Sequence, residues 1–434
     1  MLYTITCFCD ILFNLTHLSL VIHLKYMITS QEAIDLENQY GAHNYHPLPV
    51  VLAKGKGVFV WDPEGNKYFD FLSAYSAVNQ GHCHPTIIKA LIEQAQVLTL
   101  TSRAFYSVKL GQCEKFICDF FGYEKVLMMN SGAEAVETAL KLSRKWGYVK
   151  KGISDDQAQI IVCQENFHGR TTGIISFSSD PDSTTNFGPF TPGYIPIPYN
   201  NLAALEEALS NPNVCAFLVE PIQGEAGIKI PDEGYLTQAW ALCKSHNVLF
   251  VADEIQTGIA RTGKMLACDF EHVRPDVLIL GKALSGGVLP VSAVLADDAI
   301  MLVIKPGEHG STFGGNALAC AVSMAALSVI KEENLAENAA KMGLLFINRM
   351  KELKDKFPDI ISEVRGKGLM NAVEIKSQKN GHTAWDFCIL LKNKGLLAKP
   401  THGHIIRFGP PLVIDAKQME ECLLIIEATL DEFG

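Results

Sequence analysis

Between about residue 125 and residue 296 the chain repeats one pattern, a short apolar run rich in β-branched residues followed by a longer stretch with helical periodicity. The runs are KVLMMN, QIIVCQ, GIISFS, VCAFLVE, VLFVADE, VLIL and VSAVLA. Runs with no polar alternation suit strands buried on both faces, and their alternation with helices predicts a largely parallel sheet covered on both sides. The expected fold class is therefore α/β, with a large domain around a mostly parallel, seven-stranded sheet.

The flanks read differently. VFVWDPEGNKYFDF is expected to form a two-stranded hairpin with Asp62-Pro63-Glu64-Gly65 at its turn. After about residue 320, helical stretches such as ENLAENAAKMGLLFINRMKELKDKF mix with short strands such as HIIRF. Both chain ends are expected to join in a smaller α+β domain, residues 27–75 and 321–434, beside a large domain over 76–320. Residues 1–26 are apolar, but Asp10, Asn14, His17 and His23 interrupt them and no arginine is present. They read as a disordered extension, or as residues upstream of a true start at Met27, rather than as a signal or anchor.

A chain of 434 residues, 48% hydrophobic and 19% charged, has ample material for a core. Its net charge of −10, without a long basic run, gives no reason to expect nucleic acid or an anionic membrane as partner. The twelve cysteines include no CxxC pair, which suits reduced thiols and a cytoplasmic protein better than a disulfide framework. Only His82-Cys83-His84 resembles a metal cluster, and no second cluster matches it, so no metal is expected.

Two nucleotide motifs fail. Gly258-Ile259-Ala260-Arg261-Thr262-Gly263-Lys264 fits GxxxxGK, but Met265 stands where a P-loop needs a hydroxyl. No complete GxGxxG follows a strand. A third motif survives: Ser131-Gly132-Ala133-Glu134, behind the first apolar run, has the spacing of a capping box. A helix opening at the carboxyl end of a strand also offers free N–H groups to a phosphate, although an ordinary capped helix is the simpler reading on this motif alone.

Lys282 follows VLIL, and Asp253 ends VLFVAD twenty-nine residues earlier. Each alone has an ordinary explanation, a surface lysine at a strand end or a capping carboxylate. On adjacent parallel strands they would share one sheet edge, beside the helix starting at Gly132. An amine depressed by burial, a buried carboxylate and an anion seat are what pyridoxal phosphate needs.

At this point the sequence resembles the class III, or ω-amino acid, aminotransferases of pyridoxal phosphate fold type I, from about residue 35 to the C-terminus. The carrying segments are YHPLPVVLAKGKGVFVWDPEGNKYFDFLSAYSAVNQGHCHP, MNSGAEAVETALKLSRKWGY, NFHGRTTG, VEPIQGEAGI, VADEIQTGIARTGKMLACD, LGKALSGGVLPVSAV, GEHGSTFGGN and RGKGLMNAVEI. The resemblance implies pyridoxal 5'-phosphate as cofactor, held covalently by Lys282, which then moves the substrate proton. It further implies that Asp253 pairs with the ring nitrogen, Phe167 stacks on the ring and Gln256 bonds its phenolic oxygen. Ser131, Gly132 and Ala133 would cradle the phosphate. Glu220 would also belong to the cofactor site, and Thr312 would reach the phosphate of a neighbouring subunit in a homodimer.

For substrate, the resemblance is to members that act on ornithine with 2-oxoglutarate as acceptor. Arg170 would then meet a substrate carboxylate, Tyr45 and Tyr75 would line the ornithine end, and Glu225 would pair with Arg407. Members acting on acetylornithine or 4-aminobutyrate share the cofactor site and remain alternatives, with a P-loop-like nucleotide binder as the remote one.

Overall fold

The computed structural model describes residues 28–376, 378 and 381–433. The expectation for residues 1–26 lies outside the described residues. By internal contacts the chain divides into a first unit ending at residue 68, without 56–58, and a second made of 56–58 and everything from 69 onward.

In the first unit, helix Ser30–Tyr40 starts at a capping box in which Thr29 and Glu32 exchange hydrogen bonds. The Ser30 N–H donates to Glu64 at 2.8 Å. Glu64 sits in the expected turn, where the Gly65 N–H donates to the Asp62 carbonyl and the Asp62 carboxylate accepts from the Asn66 N–H at 2.7 Å and the Tyr68 hydroxyl at 2.9 Å. Pro63 and Gly65 supply the backbone angles of a tight turn, and the Asp62 side chain ties it to the returning strand.

The second unit is built on a seven-stranded sheet. From edge to edge its strands are Lys125–Met129, Ser292–Ala296, Val277–Leu280, Leu249–Asp253, Val214–Val219, Gln159–Cys163 and Tyr194–Ile197. Ser292–Ala296 runs antiparallel to both neighbours, and the other pairings are parallel. Alternate residues of one strand serve two cores. Ile160, Val162, Ala216, Leu218, Leu249 and Val251 pack with helix Gly132–Trp146, whereas Ile161, Cys163, Phe217, Val219, Phe250 and Ala252 pack with helices Leu202–Leu209 and Tyr235–Ser245. Two-sided burial is why these strands read as unbroken apolar runs.

Two details depart from expectation. GIISFS is not a strand: Thr171 caps Ile174 and the segment makes a short helical turn, Thr172–Ile175. A short apolar run buries equally well in either conformation, so its composition cannot decide. The seventh strand is instead Tyr194–Ile197, with Pro196 inside it. Proline lacks an N–H for a second ladder, and this strand lies at the sheet edge where none is needed.

A second, antiparallel sheet follows, in the order Ile361–Lys367, Met370–Ile375, Ile405–Phe408, Lys399–Thr401. Helix Leu335–Lys356 packs on it through Phe346, whose ring lies 5.5 Å from that of Phe408. Short strand Leu396–Leu397 pairs in parallel with Phe69–Asp70. Among the described residues no helix is long and apolar enough to cross a membrane.

Candidate active site

The parallel strands Leu249–Asp253 and Val277–Leu280 are neighbours, with Asp253 opposite Ile279, so Asp253 and Lys282 leave the sheet at one edge. Lys282 follows Gly281 in a left-handed conformation, φ 42°, at the start of a tight turn. A non-glycine residue held at positive φ is strained, and such strain recurs where a side chain must be aimed. Burial pulls the Lys282 ammonium pKa down, and the charges of Glu225, Asp253 and Glu220 restore it only in part.

Ser131 is the N-cap of helix Gly132–Trp146 and forms the expected capping box: Ser131 Oγ accepts from the Glu134 N–H at 3.1 Å while Glu134 accepts from the Ser131 N–H at 2.7 Å. The N–H groups of Gly132 and Ala133, in the first turn, have no partner within the helix. This helix start lies next to the lysine. A Cβ on Gly132 would come 3.1 Å from Ile255, and one on Gly281 would come 3.3 Å from the same side chain. Ile255, whose N–H donates to Asp253 Oδ1 at 3.1 Å, thus separates anion seat, carboxylate and amine by one side chain.

Asp253 is buried, and its direct partner is a residue that sequence reasoning missed. His168 Nδ1 lies 2.6 Å from Asp253 Oδ2, with the imidazole wholly out of solvent. Burial works against the imidazolium, but the Asp253 hydrogen bond and the charges of Asp253 and Glu220 outweigh it and raise the His168 pKa. The need for a positive partner was legible in a carboxylate at the end of an apolar strand. Its identity was not, because His168 arrives from a loop 85 residues away.

The same loop supplies Phe167, half-buried, whose N–H donates to Glu220 at 2.9 Å. Arg170 is exposed, its guanidinium 5.9 Å from the centre of the Phe167 ring. Glu220 ends the strand run Val214–Val219 and also accepts from the Gly224 N–H at 3.1 Å; burial lifts its carboxyl to about 7 against the opposing pull of His168.

Arg407 and Glu225 meet as the resemblance implied, at 2.8 Å between Nη1 and Oε1. Arg407 comes from the second sheet, strand Ile405–Phe408, and its guanidinium carbon lies 4.5 Å from the centre of the Tyr75 ring. Tyr75 is delivered by a left-handed turn, Ser73 to Ser76, with φ between 45° and 75°. Asp70 Oδ1 fixes its entry by accepting from the N–H groups of Leu72 and Ser73 at 2.9 Å. Gln256 Nε2 donates to the same Glu225 oxygen at 3.1 Å. A Cβ on Gly224 would fall 1.8 Å from Gln256 Oε1, so a larger residue there would displace the Gln256 amide that bonds Glu225. Burial works to raise the Glu225 pKa, but Arg407, Gln256 and Lys282 hold it below the ordinary range.

Thr312 is exposed, and Tyr45 belongs to the first unit, 68% exposed. The GxxxxGK look-alike is a turn, followed only by the five-residue 3-10 helix Ala267–Glu271 rather than by an α-helix opening at the lysine. Its Arg261 is buried and donates to Asn79 Oδ1, the Leu369 carbonyl at 2.9 Å and the Pro410 carbonyl at 2.7 Å. That arginine ties the segment to three distant loops. His82 and His84 each meet a carboxylate, Asp70 at 2.7 Å and Glu333 at 2.9 Å.

A buried amine, an acid–imidazole pair and a helix N-terminus on one sheet edge, faced by an arginine, form a set that can support amino-group transfer. The family comparison agrees: residues 40–430 match the class-III aminotransferase model, and the chain belongs to that family. Among its relatives, the mitochondrial ornithine aminotransferase of Drosophila melanogaster is 61% identical over 91% of this chain and 90% of its own. The solved ornithine aminotransferase of Toxoplasma gondii ME49 superposes with a TM-score of 0.92 at 48% identity, over 95% of this chain and 97% of that one. A structure from Elizabethkingia anophelis, named acetylornithine aminotransferase, has a TM-score of 0.87 at 64% identity and covers 93% and 100%.

Proposed function

We propose that this aminotransferase moves the δ-amino group of L-ornithine to 2-oxoglutarate, giving L-glutamate 5-semialdehyde and L-glutamate, with pyridoxal 5'-phosphate as cofactor. The donor set fits that group. Gly132 and Ala133 offer N–H groups and Ser131 its hydroxyl to its phosphate, while the Ser131 N–H is held by Glu134; Asp253 with His168 behind it suits its ring nitrogen, Phe167 suits its ring face, and Lys282 is an amine depressed by burial. Gln256 and Glu220 line the same edge. When bound, the cofactor supplies the electron sink that lets a carbon beside nitrogen lose a proton.

The observation that carries the choice of substrate is the Glu225–Arg407 pair in the electrostatic reach of Lys282. While Glu225 holds Arg407, no α-carboxylate is drawn there, and the terminal amine of ornithine can present its δ-carbon to Lys282. When an oxo acid enters, its carboxylate displaces Glu225 and takes the two-pronged bond from Arg407. Tyr75 steadies the guanidinium in both states. Tyr45 and Arg170 then discriminate among donors. The expected kinetics are ping-pong.

Thr312 completes the phosphate seat of a second subunit in a homodimer. Its exposure and that of nearby chain segments support this reading, since Phe105, Tyr106, Val108 and Phe313 leave large apolar surfaces uncovered. The ten described cysteines are all free thiols, in keeping with the cytoplasmic placement expected from sequence, for which a fluorescent fusion in cells is the test. The name of the Elizabethkingia relative favours N-acetylornithine as a second reading.

Turnover on ornithine, N-acetylornithine and 4-aminobutyrate decides. Ornithine should bleach the visible band of the holoenzyme and give a product that cyclises to pyrroline carboxylate. Preference for N-acetylornithine would transfer the assignment to the second reading, and a protein that takes up no pyridoxal phosphate would remove both.

A further inference from the structure

Four consecutive residues hold a left-handed backbone with no glycine among them: Ser73, Ala74, Tyr75 and Ser76, with φ of 48°, 45°, 58° and 75°. For an L-residue that conformation drives Cβ against the following carbonyl, and each such residue lowers the population of the turn roughly tenfold. A further cost lies in Ser73, which is fully buried and whose hydroxyl finds no partner among the described residues. Strain on this scale persists only where the surroundings over-determine it, and it collects where a group must be aimed.

Both ends of the turn are held. At the entry, Asp70 Oδ1 accepts from the N–H groups of Leu72 and Ser73, each at 2.9 Å. Its other oxygen, Oδ2, lies 2.7 Å from His82 Nε2, which donates there because an ionised carboxylate only accepts. Gripped at both oxygens, the carboxylate cannot turn away. At the exit, the N–H groups of Ala77 and Val78 return to the Ser73 carbonyl at 2.9 and 3.1 Å. Gln80 then donates to the carbonyl of Ala283, the residue after Lys282, at 3.0 Å. Between these anchors stands Tyr75, with the Arg407 guanidinium carbon 4.5 Å from its ring centre.

We propose that the left-handed turn Ser73–Ser76 presets Arg407 for a substrate carboxylate, and that Asp70 is the positioning residue that maintains it, by holding the Tyr75 ring against the guanidinium. This inference rests on the reading of Arg407 as the anchor of the oxo-acid carboxylate and deepens it. When Glu225 gives way to substrate, Arg407 loses the ion pair that fixes it at Nη1. The Tyr75 ring remains, and a guanidinium lying over an aromatic ring keeps its plane while its in-plane N–H groups stay free for a two-pronged bond. A ring on a flexible loop could not do this without loss of affinity, because it would have to be ordered at the moment of binding. A turn clamped by Asp70 is ordered beforehand.

A double-mutant cycle in the holoenzyme separates positioning from general stability. Asp70→Ala should raise KM for 2-oxoglutarate about tenfold, and with it the Kd of glutarate, which carries the same two carboxylates but no oxo group to react. In a Tyr75→Ala background the same substitution should change both constants by less than about twofold, because the ring through which Asp70 acts is already gone. A loss of similar size in both backgrounds is what a merely structural carboxylate gives, and it would overturn the proposal. Ala74 is exposed, at φ 45° and ψ 46°, where glycine is unstrained. Ala74→Gly added to Asp70→Ala should therefore recover glutarate affinity by at least about threefold, and no recovery would show that Asp70 does not restrain a strained turn. Should Asp70→Ala not fold, Asp70→Asn, which keeps an acceptor for the two N–H groups but loses the charge, carries the same cycle with a rise of about threefold. Tyr75→Ala that leaves both constants unchanged would remove Tyr75 from the carboxylate end and the proposal with it. Arg407→Ala with an unchanged Kd for glutarate would instead remove the anchor reading itself.

Discussion

Two carboxylates set the field around Lys282, and the chain treats them in opposite ways. Asp253 ends a strand buried on both faces, and its partners are a wholly buried imidazole and the Ile255 N–H two residues on. Glu225 sits in a loop with its side chain 29% exposed, and its partner Arg407 comes from a different sheet. A charge pair enclosed by one rigid core cannot open without leaving an uncompensated charge in low dielectric, whereas a pair joining a loop to a sheet beside solvent can exchange partners at modest cost. The difference suits two tasks, a constant charge for a cofactor and a replaceable one for two dissimilar substrates.

The largest effect expected is on the amine both carboxylates address. Lys282→Ala should lower kcat by at least about 10³-fold even with excess pyridoxal phosphate, since both the covalent tether and the proton carrier are lost. A rate within tenfold of wild type would remove Lys282 from the chemistry. Next comes the fixed pair: Asp253→Asn leaves the His168 imidazolium buried without its counter-charge, which costs about 3–5 kcal/mol in stability. Glu225→Gln keeps a hydrogen-bond acceptor at a partly hydrated position and should cost only about 1 kcal/mol. Urea denaturation of the two variants measures the contrast directly, and equal losses would break it.

The exchangeable pair should show itself in selectivity rather than in stability. Arg407→Lys keeps the charge but loses the planar fork, and KM for 2-oxoglutarate should rise about tenfold to a hundredfold while KM for ornithine moves far less. Glu225→Ala unmasks Arg407 in the donor half-reaction, so ornithine should begin to react at its α-amine, and glutamate should compete as donor. Product analysis by mass spectrometry distinguishes the two amines. If the variant still yields only semialdehyde, Glu225 is not what keeps the α-carboxylate away.

The same contrast explains what was legible in the sequence. The fixed end could be read almost completely: unbroken apolar runs announced strands buried on both faces, and a carboxylate and a lysine just past two of them announced a shared edge. His168 could not be read, because its partnership depends on a loop whose path local periodicity does not encode. The Glu225–Arg407 pair came from resemblance alone, since neither residue is unusual where it stands, one in a loop and the other 182 residues on in the second sheet. GIISFS misled for the opposite reason, being apolar enough for a strand yet too short for composition to choose. Arg261 looked like part of a phosphate loop because glycine spacing records turns, whatever the turns hold.

A third carboxylate, Glu220, lies between the two extremes and gives the smallest but most pointed test. It is buried beside Asp253 and His168, accepts two backbone N–H groups, and is raised by burial from 4.5 to about 7. A raised acid favours the fold in its neutral form, so its contribution is complete below pH 4.5 and is lost as pH rises through about 7. Glutamine is neutral throughout. Glu220→Gln should therefore destabilise the protein at pH 5, where the wild-type carboxyl is already neutral and better matched to the Phe167 and Gly224 N–H groups. The difference should move in the variant's favour by about 2 kcal/mol between pH 5 and pH 8, read from urea midpoints. A difference that stays flat with pH would show that Glu220 ionises as freely as a surface carboxylate. The field on His168 would then come from two fixed negative charges, and the Asp253 end would be less neutral than its burial implies.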